Sequence, residues 1–318
     1  MVLHGPYLEA DAFSDAWASF AHSAGATASE VGRSVEGRPL ARYDFGPADA
    51  SRTVMLTALL HGVEVIGSVA LLRALERIID TDLLEHTRLV VMPIANPDAF
   101  HGNMSRLARG LFAGQRGNAR GVDLNRNFPW VTTEIPWHPF AGSRRPWSPH
   151  YVGPHALSEP ESQAIAKVAA MLRPDLSLGF HSFGNMLLYP WAHTREPNPR
   201  RALYSTLGAT FGAALRGAPF SIGQATQLYP TIGDLDDWLD AELGTLAFTV
   251  EVSTLDRRLF HPGRLLNPFC WMNPSSESVV EATIEGLAPA VAALLAAAPV
   301  MRSREPDRLR PSMPLAAR

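Results

Sequence analysis

Apolar residues along the chain form two kinds of run, and the two alternate. Short unbroken runs occupy residues 53–60 (TVMLTALL), 88–94 (RLVVMPI), 176–180 (LSLGF) and 245–252 (TLAFTVEV). Each is long enough for a buried strand, and the second is halted by Asn96-Pro97. A further strand is expected over residues 40–45, closed by a turn at Gly46-Pro47. Between the runs, apolar residues recur every three or four positions. Val65, Val69, Leu72, Leu75 and Ile79 make one such helical face. Phe13, Trp17 and Phe20 make another over residues 11–24. Helices are also expected over 158–172, 200–215 and 276–297. Strands alternating with helices predict an α/β fold: a single main domain with a mixed, mostly parallel twisted sheet flanked by helices.

Two stretches break the alternation. Residues 98–121 are rich in Gly and Arg, and residues 128–154 in Pro and Trp. Both read as loops, and loops of this length in a compact domain carry function. Residues 31–39 read as a polar turn segment. The expected organisation is an N-terminal helical segment (1–29), a main domain (30–298) and a disordered tail rich in Pro and Arg (299–318).

Composition narrows the chemistry. Of 318 residues, 46% are hydrophobic and 19% charged, which suits a chain with a buried core. The net charge of −3 offers no basic excess to neutralise a phosphate backbone, so no nucleic-acid partner is expected. Cys270 is the only cysteine. That excludes an intrachain disulfide framework and a CxxC-type zinc site, and leaves His and carboxylates as metal ligands. Residues 1–10 lack a basic start followed by an apolar run, and the expected location is cytoplasmic. The weakly polar stretch 286–301 is interrupted by Pro289 and falls short of the roughly 20 residues that cross a bilayer. It reads as a packed helix, kinked at that proline.

Polar residues sit at the ends of the apolar strands, where open α/β sheets bind ligands. His61-Gly62-Val63-Glu64 follows the first run and Asn96-Pro97-Asp98 the second. The third ends in His181 and the fourth in Glu251. His61 and Glu64 lie three apart at a strand-to-helix turn and can face one point. With His181 they make a His₂Glu set, a ligand type that catalytic zinc uses while keeping one position open. The same residues also suit a helix-start turn, with Glu64 favouring the dipole, and a buried core histidine. Asn125-Arg126, inside Gly121-Val122-Asp123-Leu124-Asn125-Arg126-Asn127-Phe128-Pro129, sets an amide beside a guanidinium. That pair suits a planar carboxylate, and equally a surface turn.

Taken together these segments resemble the zinc metallocarboxypeptidases of the carboxypeptidase A-like family. His61-x-x-Glu64 is similar to the first ligand motif. Asn96-Pro97-Asp98 and the Gly121–Pro129 run are similar to the substrate-binding region. Phe180-His181-Ser182-Phe183 and the following Leu187-Leu188-Tyr189-Pro190 resemble the third-ligand strand and its sequel. Phe248-Thr249-Val250-Glu251 resembles the strand of the catalytic glutamate. Gly32 to Pro39 and Ser158-Glu159-Pro160-Glu161 are further landmarks, and the likeness runs over residues 30–295.

The resemblance implies one zinc ion per chain on His61, Glu64 and His181, with Glu251 as general base and acid. It implies that Arg116, rather than Arg120, polarises the scissile carbonyl. Asn125 and Arg126 would hold a terminal carboxylate and Tyr229 would cover the substrate. Asp236, seven residues past Tyr229, falls where the family separates apolar from basic C-terminal preference. Gly62-Val63 departs from the digestive members, which carry an arginine there, and this puts an extended substrate subsite in doubt. The implied activity is hydrolysis of the C-terminal amide bond of peptides, with a preference for basic C-terminal residues. The expected partner is a peptide or peptide-like substrate with a free carboxylate, without a membrane. Alternatives are a murein-peptide amidase or an acyl-amino-acid deacylase on the same fold, or an inactive carboxylate-binding module.

Overall fold

A computed structural model describes residues 6–79, 82–132, 134–255 and 262–301. The expected tail therefore lies outside the described residues, apart from its first three positions. Eight strands form one sheet: β1 (Thr27–Arg33), β2 (Pro39–Phe45), β3 (Arg52–Ala58), β4 (Thr87–Met92), β5 (Leu176–His181), β6 (Met186–Tyr189), β7 (Ser221–Gln224) and β8 (Leu246–Glu251). Their order across the sheet is β1-β2-β4-β3-β5-β8-β6-β7. The central four, β4-β3-β5-β8, run parallel. These are the four unbroken apolar runs, as expected of strands covered on both faces. β2 pairs antiparallel with β4 and with β1, and β6 antiparallel with β8, so the sheet is mixed.

Successive residues of each central strand feed opposite layers, as the strand period of two requires. Val54, Leu56, Phe180, Phe248 and Val250 join one core with α1 (Ala10–Ser23), α2 (Val65–Ile78), α5 (Arg201–Ala214) and α9 (Glu277–Ala297). Met55, Val90 and Ala247 face a second core with Ile165 and Val168 of α4 (Pro160–Leu172) and with Phe128 and Trp238. The N-terminal helix belongs to the first core. Trp17 stacks on Tyr43, and its Nε1 donates to Ser68 Oγ at 3.2 Å. By length and hydropathy α9 could cross a membrane, but Ile284, Leu287, Val291 and Leu294 are buried in that core. The helix continues through Pro289.

Three expectations are corrected. The first half of the expected loop 98–121 is a helix, α3 (Pro97–Ala108). Asn96 caps it, Pro97 occupies the first turn, and Phe100, Met104 and Leu107 form its buried face. Asn96-Pro97-Asp98 is thus framework rather than substrate contact. Asp98 accepts bonds from Ser34, Glu36 N and Arg38. Second, the expected turn 31–39 begins inside β1, whose exposed, polar residues show no alternation. Third, the short outer strands β6 and β7 lie in segments read without strands.

The second expected loop stays irregular over the described residues of 128–154. It is tied down by bridges from Tyr151 to Val122 and Ser143. α6 (Leu235–Trp238) precedes β8, while α7 (Pro262–Leu265) and α8 (Pro268–Met272) precede α9.

Candidate active site and metal centre

The parallel register brings the chemical residues together. His181 and Glu251 are register partners at the ends of β5 and β8, and Ala58, the last residue of β3, pairs with Phe180. After Ala58 the chain turns through Leu59, at φ 54°, to reach His61 and Glu64. Two glycines permit the close packing there. A Cβ on Gly62 would lie 2.4 Å from Ala99 Cβ, and one on Gly67 2.9 Å from Phe180 O. Asn96 Nδ2 donates to Leu60 O and Arg116 O, and Gly62 N donates to Arg116 O. The ligand turn, the start of α3 and Arg116 are therefore one hydrogen-bonded unit.

His61, Glu64 and His181 are buried, and their ligand atoms lie within 4.8 Å of one another. His61 Nδ1 is 2.9 Å from Glu64 Oε1, His181 Nδ1 is 2.9 Å from Glu64 Oε2, and the two Nδ1 atoms are 3.1 Å apart. Spacings near 3 Å suit tetrahedral ligands about 2 Å from a common ion. Two imidazole nitrogens facing one another beside a carboxylate are a donor set that could hold a metal ion such as zinc.

Behind the ligands, Asp123 is the hub. Its Oδ1 lies 3.0 Å from His61 Nε2, and its Oδ2 accepts from Arg116 Nε at 2.9 Å. His150 Nδ1 is 3.4 Å from the same Oδ2. A carboxylate on the far nitrogen fixes the tautomer that leaves His61 Nδ1 free for a metal. In the sequence Asp123 stands within the Gly121–Pro129 run and carries no assigned role. The signal was available, because ligand histidines usually donate their second N–H to a carboxylate. Nothing in the sequence marks His150, which reaches the site from the Pro- and Trp-rich loop. Burial pushes the Asp123 carboxyl up, but Arg116, His61 and Arg126 outweigh it and hold it well below the ordinary range. Glu64 is likewise held low by His61 and His181 against its burial.

A cavity of about 590 Å³ opens onto this cluster. Arg116, Asn125, Arg126, Tyr229, Asp236 and Glu251 all line it with the three candidate ligands. Arg120 does not; its side chain is 57% exposed beside Glu159. Arg116 donates through Nη1 to Glu64 Oε1 at 3.1 Å, so its guanidinium borders the metal centre. Arg126 is 2% exposed. It donates to the carbonyls of Asn125 and Phe140, and among the described residues no carboxylate lies within ion-pair distance of it. Asn125 Oδ1 accepts from Leu235 N, which leaves its NH₂ as a donor. Tyr229 stacks on His138 with ring centroids 5.4 Å apart and meets Phe140 edge-on.

Two of the acids that line the cavity, Glu251 and Asp236, have the fewest partners among the described residues. Glu251 Oε2 is buried and makes no hydrogen bond among the described residues. Burial, opposed by His181 and reinforced by Glu64, raises the Glu251 carboxyl to about 7. Asp236 accepts one bond, from Thr249 Oγ1 at 2.6 Å, and burial raises it to about 8 despite that bond. It is not part of a solvated acidic patch. Asp234 caps α6 and accepts from Thr231, Asp237 accepts from Ala192 N and His193, and Asp240 accepts from Arg200, Tyr204 and Asn198.

Comparison with known proteins agrees with this geometry. Residues 17–270 match the zinc carboxypeptidase family model. Carboxypeptidase A6 of Homo sapiens is 30% identical over 263 residues, 76% of this chain and 58% of that protein. Carboxypeptidase B of Helicoverpa zea is 25% identical over 254 residues, 72% of this chain and 58% of that protein. This chain thus spans somewhat over half the length of these relatives. The crystal structure of carboxypeptidase A from Helicoverpa armigera aligns with a TM-score of 0.71 at 25% identity, over 88% of this chain and 72% of that one. With the family model covering most of its length, this chain belongs to the zinc carboxypeptidase family.

Proposed function

We propose that this chain is a zinc-dependent metallocarboxypeptidase that removes the C-terminal residue of peptides, with a preference for basic residues. One observation carries the reading. A single cavity holds the His₂Glu ligand set and a buried Arg126 that has no carboxylate partner among the described residues. A buried cation left without an acid is costly, so a site built this way favours substrates that bring a carboxylate.

His61, Glu64 and His181 would hold one zinc ion. Bound zinc supplies Lewis acidity, which polarises a carbonyl and lowers the pKa of water towards neutrality. Glu251 takes a proton from the attacking water and returns it to the leaving amine. A carboxyl near 7 is suited to both transfers at neutral pH. Arg116, fixed by Asp123 and Glu64, presents its remaining N–H groups to the oxygen on which charge develops. Asn125 and Arg126 grip the terminal carboxylate and place the last amide bond at Glu251. Tyr229, on its aromatic shelf of His138 and Phe140, closes over the residue. Asp236 faces the side chain of that residue and pairs with a cation there.

The test compares a dipeptide with its C-terminal amide on zinc-loaded protein, wild type against Arg126→Ala. The wild type is expected to cleave only the free acid, and the variant to lose most of that discrimination. Equal loss on both substrates would place Arg126 in the fold or at the scissile bond, and wild-type cleavage of the amide would end the carboxypeptidase reading.

A further inference from the structure

The sheet holds one parallel pair besides the central four strands, β6 with β7. Tyr189 and Gln224, the last residues of the two strands, are register partners. A second cavity, of about 480 Å³, opens beside them. Arg195, Arg201, Thr226 and Gln227 line it with Tyr189 and Gln224, and among the described residues no carboxylate does. The carboxyl ends of parallel strands are where α/β sheets bind ligands.

This cavity carries a surplus of donors. Arg195 and Arg201 have no carboxylate partner among the described residues. Glu196, next to Arg195 in the chain, does not line the cavity. Asp240 is bonded to Trp191 Nε1, Asn198, Arg200 and Tyr204, and does not line it either. The polar groups at the back of the cavity are already committed. Gln224 is buried; its Oε1 accepts from Asn198 N, and its Nε2 donates to the carbonyls of Trp191, Thr194 and Glu196. Thr226 Oγ1 donates to the carbonyls of Trp191 and Thr194. These bonds fasten residues 191–198, and with them Arg195, to the end of β7. Tyr189 is fixed by stacking on Tyr204, with ring centroids 5.0 Å apart, and its hydroxyl makes no hydrogen bond among the described residues. Gln227 Oε1 lies against Gly223, where a Cβ would come within 2.4 Å, and its NH₂ is a further donor. Two guanidinium ions and two neutral donors thus surround a space without an acid, on a chain whose net charge is −3.

We propose that this cavity is a binding site for a small divalent oxyanion, a phosphate monoester or a dicarboxylate. Guanidinium forks match paired oxygens, and an anion of single charge would leave one arginine unmatched. The site is distinct from the catalytic cavity but shares one wall with it, because Tyr189 lines both. Its occupant would therefore rest on a ring that also borders the catalytic cavity. The proposal does not depend on which reaction that cavity performs.

The test is calorimetric titration of the full zinc-loaded chain at low ionic strength with phenyl phosphate, succinate and acetate. One equivalent of phenyl phosphate or succinate is expected to bind with a Kd of about 0.1–1 mM, and acetate at least about tenfold more weakly. The tighter of the first two identifies phosphate or carboxylate as the preferred source of the charge. Arg195→Gln combined with Arg201→Gln should weaken that binding at least about tenfold, and the corresponding pair of lysine substitutions, which keeps the charge but not the fork, should weaken it less. Arg126→Ala, which removes the unpaired cation of the catalytic cavity, should leave it unchanged. Binding that survives the double Gln substitution, or that disappears in Arg126→Ala, would place the anion elsewhere and overturn the site. A Kd above about 10 mM for both divalent anions, or equal affinity for acetate, would overturn it as well.

Discussion

Two groups of buried carboxylates share one cavity and are treated in opposite ways. Around the metal centre, Glu64 and Asp123 are surrounded by His61, His181, Arg116 and His150, and both are held low. In the same cavity, among the described residues, Asp236 has one hydroxyl donor and Glu251 Oε2 has none, and burial raises both. The first group is neutralised inside the chain and fixes geometry. In the second, burial outweighs the partners each carboxyl has. Arg126 is their cationic counterpart, bonded to carbonyls instead of an acid. On the proposed function, internal pairing marks the framework of this site, and its absence marks where substrate and proton would be handled.

The comparison can be broken most severely at the metal. His181→Ala removes one of three ligands, and purified protein is expected to lose its stoichiometric zinc and all measurable activity. Undiminished zinc by elemental analysis would remove His181 from the site. Next in size, Glu251→Gln should keep zinc and fold while losing about 10²- to 10⁴-fold in kcat. A variant with near full turnover would show that the raised Glu251 carboxyl plays no part in proton transfer. Asp123→Asn tests the framework side. It weakens the hold on His61 and Arg116 together and should cost about 10- to 100-fold in zinc affinity, measured by competition with a chelator. Unchanged affinity would demote Asp123 to simple packing.

The smallest effect sharpens the other side. Asp236 binds its proton more tightly folded, near 8, than at the ordinary 3.8 of the unfolded chain. Its contribution to stability is therefore full below pH 3.8 and lost as pH rises through 8. Asp236→Asn abolishes that loss. Relative to the variant, wild type should lose stability progressively from about pH 4 to about pH 8 and no further above that, measured by urea unfolding across the range. The same substitution should reduce a lysine-over-leucine preference about tenfold, because a substrate cation is the partner that Asp236 lacks. Equal slowing of both substrates would make Asp236 a structural acid.

Legibility from sequence followed the strength of local signals. The four central strands were readable because a strand covered on both faces must be apolar at every position. Edge strands were not, since β1 is largely polar and exposed and β7 is four residues long with its apolar Ile222 exposed and Gln224 buried, so neither shows a period. The helix α3 hid inside a Gly- and Arg-rich stretch. Its capping Asn96 and first-turn Pro97 read as a strand stop, and both meanings belong to the same dipeptide. Among site residues, His61, Glu64, Asn125 and Arg126 stood in recognisable local patterns. Asp236 was indistinguishable in sequence from three neighbouring acids, and only their partners separate them.

The sequence by itself determined the α/β class, the His-and-carboxylate character of any metal site and the strand ends at which its chemistry stands. These follow from residue type and local period, which short-range physics decides. Only the tertiary structure decided which charges are paired. Asp123 meets His61 across 62 positions, and Asn273 clamps Val63 across 210. Pairing depends on distance and desolvation in three dimensions. Partners this far apart are brought together by the parallel register of the sheet and the packing of helices on it, and no local pattern encodes that meeting.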